Sequence, residues 1–86
     1  MKLLFCRECG DIRRLRSVVT SCACGRSAGR YLPDDVTAEY RGPGCLLGIA
    51  NSSFEAAVRR HREGGGRSEL DACVLSDSGN VVRLRD

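Results

Sequence analysis

The sequence predicts an α+β fold: a small N-terminal β unit clamped by cysteines, joined to an antiparallel sheet with one helix. Three observations point there. Four of the six cysteines fall in two tight pairs near the start, Cys6/Cys9 and Cys22/Cys24. Short β-branched or alternating segments, bounded by Gly, Pro and Asp, recur on both sides of those pairs. One stretch only, Ser52 to Gly64, combines helical spacing with a start and a stop signal.

Taken in order, Lys2–Phe5 is expected as a strand leading into the first cysteine pair. Asp11–Ser21 carries Ile12, Leu15, Val18 and Val19 among arginines. It predicts two short strands with a turn near Arg16–Ser17, or one bent strand; a helix is disfavoured by the short span and by Val-Val-Thr. Gly25–Leu32 should run back as a strand, and 33–35 (Pro-Asp-Asp) should turn. In Val36–Arg41, Val36, Ala38 and Tyr40 alternate with Thr37, Glu39 and Arg41, the pattern of a half-buried strand. Gly42-Pro43-Gly44 is a turn. Cys45–Ala50 is a continuous apolar run, expected to be the most buried strand outside the cysteine cluster.

Ser52 and Glu55 have capping-box spacing. Phe54, Ala57, Val58 and His61 then share a face that should cover the sheet. Arg59, Arg60 and Arg62 lie towards the C-terminal end, where cations complement the helix dipole, and Gly64–Gly66 stop the helix. The segments 69–76 and 80–86 flank Asp77–Asn80 and predict a closing hairpin.

At 86 residues the chain makes one domain, with 1–32 as the cysteine-bearing part and 33–86 as the strand-strand-helix-hairpin part. A domain this small draws limited stability from its core and calls for a staple. Aromatic residues are few (Phe5, Tyr31, Tyr40, Phe54), so Leu, Val, Ile, Ala and Cys must supply the interior. The opening Met1–Cys6 has too short an apolar run for a signal peptide, and no window has the length of a membrane span. A cytoplasmic setting is therefore expected. Thiols stay reduced there, and paired cysteines more often bind metal than each other.

The spacing suits a metal. A Cys-x-x-Cys turn brings two sulfurs within reach of one ion, and Cys-x-Cys does so with a tighter backbone. Four thiolates close a tetrahedral shell around zinc at about 2.3 Å per bond. Gly10 and Gly25, directly after each pair, can take the positive φ that aims N–H groups at sulfur. Two disulfides would match the count, but the local loops are too tight to staple much. A redox Cys-x-x-Cys would open a helix within a βαβ pattern, which is missing. Iron takes the same ligands.

"CRECG" and "CACG" resemble the two knuckles of a zinc ribbon, over roughly residues 3–32. The resemblance implies one structural zinc held by Cys6, Cys9, Cys22 and Cys24. The second knuckle has one intervening residue where two are usual, and Cys45 is the alternative fourth ligand. The remainder resembles no named family; a small bacterial or phage protein is the origin suggested.

A closed four-thiolate shell has no open position for catalysis. It also lowers the formal charge of +3 to about +1, since four thiolates and one Zn²⁺ add −2 (+3 − 2). Arg7, Arg13, Arg14, Arg16 and Arg26 are placed to screen it. Thirteen of the fourteen basic residues are arginine, a bias that a GC-rich genome also produces. Arg59, Arg60, Arg62 and Arg67 form the candidate contact for an anionic partner. Cys45 and Cys73 read as structural thiols; pairing either with His61, the only histidine, is the distant enzymatic alternative. The expectation is a non-enzymatic, zinc-stabilised binding module with a protein partner and no membrane association. Its main competitor is a ribbon that grips nucleic acid through the helix arginines.

Overall fold

A computed structural model describes residues 1–84. Its strands are β1 (Lys2–Phe5), β2 (Ile12–Arg14), β3 (Thr20–Ser21), β4 (Ala28–Tyr31), β5 (Ala38–Arg41), β6 (Cys45–Ile49), β7 (Ala72–Leu75) and β8 (Val81–Arg83). The helix α1 (Asn51–Gly64) lies between β6 and β7. The architecture is α+β, with two four-stranded sheets: β2-β1-β6-β7 and β3-β4-β5-β8. Both sheets draw strands from either side of residue 32, since β1 pairs with β6 and β4 with β5. No helix among the described residues is long and apolar enough to cross a membrane.

The core lies between the sheets. Leu4 and Leu46 come from the first, Ala38, Tyr40 and Val81 from the second, and Leu15 from the connection between them. Tyr31 and Leu75 pack against this cluster. Tyr40 keeps its polar end satisfied by donating its hydroxyl to Asp77 at 2.7 Å, as a buried phenol requires.

Asp11–Ser21 forms two strands, as its β-branched content predicts, but they join different sheets: β2 pairs with β1 and β3 with β4. The alternation in 36–41 holds for Ala38 and Tyr40, which are buried. Val36 departs from it and is 52% exposed. The Asp34 carboxylate accepts the N–H groups of Val36 and Thr37 and the Thr37 hydroxyl, so the turn extends to residue 37 before the strand begins.

The expected hairpin of 69–76 with 80–86 does not form. β7 adds to β6 in the first sheet, while β8 runs parallel to β5 in the second, so the second sheet is mixed. Among the described residues a single Ser78–Val81 bridge remains of a local turn. Burial decides the pairing: beside Ala38, Val81 enters the core, and Leu75 seals it from the other sheet. Arg85 and Asp86, the end of that expected hairpin, lie outside the described residues.

β6 is central but not the most buried strand. Leu46 faces the core at 0% exposure, whereas Cys45, Leu47 and Ile49 are only partly buried on the opposite face of the strand. The helix does not enter the core. It contributes nothing to the core cluster, and Ala57 is its only buried residue. Instead the chain after the helix returns along it: the Asp71 N–H donates to the Ser53 hydroxyl, and Arg60 donates to the Glu69 carbonyl. The capping box is also absent. Ala50 occupies the N-cap without a side-chain bond, and Glu55 reaches forward to Arg59 at 3.5 Å. The stop is as expected, with Gly65 at φ 68 donating its N–H to the His61 carbonyl.

Candidate metal centre

The two cysteine turns grow from the ends of β1 and β3, one from each sheet. Each is closed by the same backbone device. The Cys6 N–H donates to the Asp11 carbonyl and the Cys22 N–H to the Ser27 carbonyl, both at 3.0 Å and both across five residues. Inside each loop a glycine at positive φ turns the chain: Gly10 at 73° donates to the Cys6 carbonyl, and Gly25 at 77° to the Cys22 carbonyl. The second turn is one residue shorter between its cysteines and one residue longer after its glycine. The closing bond therefore spans the same distance, and Cys22-Ala23-Cys24 still presents both sulfurs.

The four sulfurs of Cys6, Cys9, Cys22 and Cys24 lie within 4.8 Å of one another. Cys24 is 3.7 Å from Cys6 and 3.5 Å from Cys22, sulfur to sulfur. A tetrahedron with bonds of about 2.3 Å has edges of about 3.8 Å, so these separations fit a four-thiolate metal site and are far too long for a disulfide. Cys6 and Cys22 are buried, Cys9 and Cys24 exposed. The set is consistent with a zinc-ribbon-like site. Cys45 is not part of it: this thiol sits on β6 opposite Phe5, and Cys73 on β7 opposite Gly48.

Electrostatics fit the same reading. The Ser27 hydroxyl beside Cys6 draws its thiol below the ordinary range, helped by the Cys9 N–H. Burial pushes Cys22 up, but the Ser27 N–H at 3.4 Å and the neighbouring thiols outweigh it and bring Cys22 down to about 6. Cys24 is drawn down by the Arg26 N–H, yet hydrogen bonding with Cys22 and burial raise it to about 12. Left to themselves, sulfurs this close share their protons and cannot all ionise; a cation among them allows four thiolates at once.

Several supporting residues were not singled out in the sequence. Ser27 is fully buried, and its hydroxyl lacks a formed hydrogen bond while facing Cys6. Asp11 accepts the Ala23 N–H at 2.8 Å and pairs with Arg13 at 2.6 Å, tying one turn to the other. The Gly42-Pro43-Gly44 turn is wedged between them. A Cβ on Gly42 would stand 2.1 Å from the Arg26 carbonyl oxygen, and one on Gly44 2.1 Å from that of Phe5. Equivalent positions of Asp11 and Ser27, five residues after each first cysteine, were the available signal.

Of the arginines expected near the cluster, Arg13 is bound to Asp11 and Arg26 lies 3.9 Å from Glu8. On the helix, Arg59 pairs with Glu55 and Arg60 serves the Glu69 carbonyl, while Arg62 borders a shallow groove with Phe54, Val58 and Leu70. His61 Nδ1 is engaged 2.6 Å from the Gly66 carbonyl. No protein-family model matches this chain, and comparison with curated proteins and with solved structures finds no significant relative.

Proposed function

We propose that this chain is a non-enzymatic binding module, stapled by one structural zinc and contacting a protein partner. The observation that carries it is the sulfur tetrad. Four protein ligands complete a tetrahedral shell, so the ion holds shape and offers no position to a substrate. Cys6, Cys9, Cys22 and Cys24 would hold it, and the metal would supply the charge that lets them all ionise.

Two features favour a protein over nucleic acid. Leu4 and Leu46 face the core, so strand alternation turns Leu3, Phe5, Cys45, Leu47 and Ile49 outward, beside the exposed Val74 and Ile12. An apolar outer face of this kind suits a protein surface and not a phosphate backbone. Meanwhile Arg59 and Arg60 are spent on contacts within the chain.

The test has two arms. Protein purified without added zinc should contain about one equivalent of zinc and no iron, and Cys9→Ser should lose it and unfold at much lower denaturant. A folded, metal-free protein with intact thiols overturns the reading. Capture from the native host should retain its partner after nuclease treatment. DNA or RNA binding tighter than about 1 μM at physiological salt, lost in an Arg59→Ala/Arg60→Ala variant, would decide for nucleic acid.

A further inference from the structure

At the other end of β1 from the cysteines, a cleft of about 730 Å³ opens between the two sheets. Its wall carries Lys2, Arg14, Arg16, Tyr31, Asp35 and Asn51. Arg14 and Arg16 flank Leu15, which is 2% exposed and belongs to the core. The backbone of this tripeptide is pinned to both sheets. The Leu15 N–H donates to the Lys2 carbonyl at 3.2 Å, and the Arg16 carbonyl accepts the Tyr31 N–H at 2.8 Å. Both guanidinium groups are thus carried on fixed backbone, with a buried leucine as anchor.

Lys2 is held just as firmly. Its ammonium donates to the Val36 carbonyl at 2.7 Å and lies 5.6 Å from the centre of the Tyr31 ring, while its backbone N–H donates to the Tyr31 hydroxyl at 2.8 Å. Lys2, Arg14 and Arg16 line the cleft with one carboxylate, Asp35, and the Asp34 carboxylate lies near enough to Lys2 to feel its charge. Among the described residues Arg14 and Arg16, like Arg7, Arg41, Arg60, Arg62, Arg67 and Arg83, have no acidic partner within 4.0 Å; what sets the two apart is their place in the lining of the cleft. Two arginines without an acidic partner among the described residues thus line one concave surface.

We infer that this cleft binds a phosphate-bearing small molecule of nucleotide size, gripped by Arg14 and Arg16 with Lys2 adding charge. Guanidinium forks match phosphate oxygens in a bidentate manner, and a pair of them neutralises a dianion where a single carboxylate would leave one unsatisfied. The volume lies within the range of small-molecule clefts, about 300–1,000 Å³. Asp35 and Asn51 offer an acceptor and an amide to hydroxyl groups on the same ligand. A single-stranded nucleic acid would want a row of free aromatic faces, whereas the cleft has one tyrosine with a lysine over its ring. This inference is independent of the metal and of the protein partner.

The probes are inorganic pyrophosphate and adenosine monophosphate, titrated into the metal-loaded protein at about 0.15 M salt, where exposed charges are screened beyond about 8 Å. Saturable binding is expected, with amide shifts confined to residues 2, 14–16, 31 and 35–36. Stronger binding of pyrophosphate would assign the site to phosphate alone, and stronger binding of the monophosphate to a nucleotide; both support it. Arg14→Ala/Arg16→Ala, which leaves Leu15 in place, should weaken binding at least tenfold, while Arg59→Ala/Arg60→Ala leaves it unchanged. Metal content and thermal unfolding verify that the variants remain folded, and the single Arg14→Gln and Arg16→Gln variants serve if the double one does not. Absence of saturable binding for both probes overturns the inference. So does equal binding by the folded cleft variant, or an oligonucleotide that binds a hundredfold more tightly than the monophosphate.

Discussion

Replacing Gly44 with alanine should loosen the metal centre without touching a ligand. Gly44 needs no positive φ, so the effect is one of contact alone. Its added Cβ would lie 2.1 Å from the Phe5 carbonyl oxygen and 3.2 Å from the Ser27 hydroxyl. Contacts below 3.0 Å are not tolerated, and the obstacle is backbone, so the chain must part by about 1 Å. Phe5 precedes the ligand Cys6, and Ser27 closes the other turn. The displacement falls on the joint between the two pairs of sulfurs, where metal sites tolerate about 0.2 Å. Overpacking of this order costs about 1–3 kcal/mol in stability, and disturbed support around metal ligands costs about ten- to a hundredfold in affinity. Chelator competition for zinc, with urea unfolding alongside, measures both. Gly79→Ala is the control, because nothing lies within 4 Å of that Cβ. If Gly44→Ala keeps parental zinc affinity and parental stability, the turn does not brace the site and the reasoning fails.

Two further outcomes follow from burial and from a depressed carboxylate. Leu46→Ala, at 0% exposure between the sheets, should cost about 2–5 kcal/mol by urea unfolding, whereas Val74→Ser, at 66% exposure, should stay within about 0.5 kcal/mol of the parent. Asp34 is held below the usual carboxylate range by the Thr37 hydroxyl first, then by the N–H groups of Val36 and Thr37. Its folded pKa is the lower one, so its contribution is present above the ordinary value near 4 and fades as pH falls through the folded value. The stability gap between the parent and Asp34→Ala should therefore shrink below about pH 4; a gap that persists unchanged into stronger acid would contradict the assignment.

The cysteine tetrad was legible because its information is local: two pairs, each with its glycine, state their geometry within five residues. Strand β5 was legible for the same reason, through its alternation, and β1 and β4 through their positions before the first cysteine pair and after the second. What failed was the choice of partners. The residues around Asp77–Asn80 have every mark of a tight hairpin, yet the strands beside them each find a free edge on a different sheet, and Val81 gains a place in the core that a hairpin would deny it. No local pattern encodes that gain. The helix misled in a related way. Phe54, Ala57 and Val58 share a face, which predicts packing on the sheet, but only Ala57 is buried. The cover for that face comes from the returning 66–71 segment, whose glycine and polar content carries no periodicity to read.

The topology gives the metal a mechanical role that the spacing alone does not. Cys6 and Cys9 follow β1 in the first sheet; Cys22 and Cys24 follow β3 in the second. A metal held among them would tie the two sheets together at one end of the core. At the other end the Leu15 tripeptide makes the same connection with two hydrogen bonds, to Lys2 and to Tyr31. Among the described residues the buried cluster beside these clamps is Leu4, Leu15, Ala38, Tyr40, Leu46 and Val81, with Leu15 itself part of the second clamp. A core that small cannot hold two sheets face to face against chain entropy by area alone, because domains of this size bury the smallest fraction of their surface. A tetrathiolate zinc contributes an apparent binding free energy of about 10–16 kcal/mol in small folds, comparable to the whole stability of an ordinary domain. On the proposed function, a zinc bound there would act as the second half of the core, doing between the sheets what further leucines would do in a longer chain.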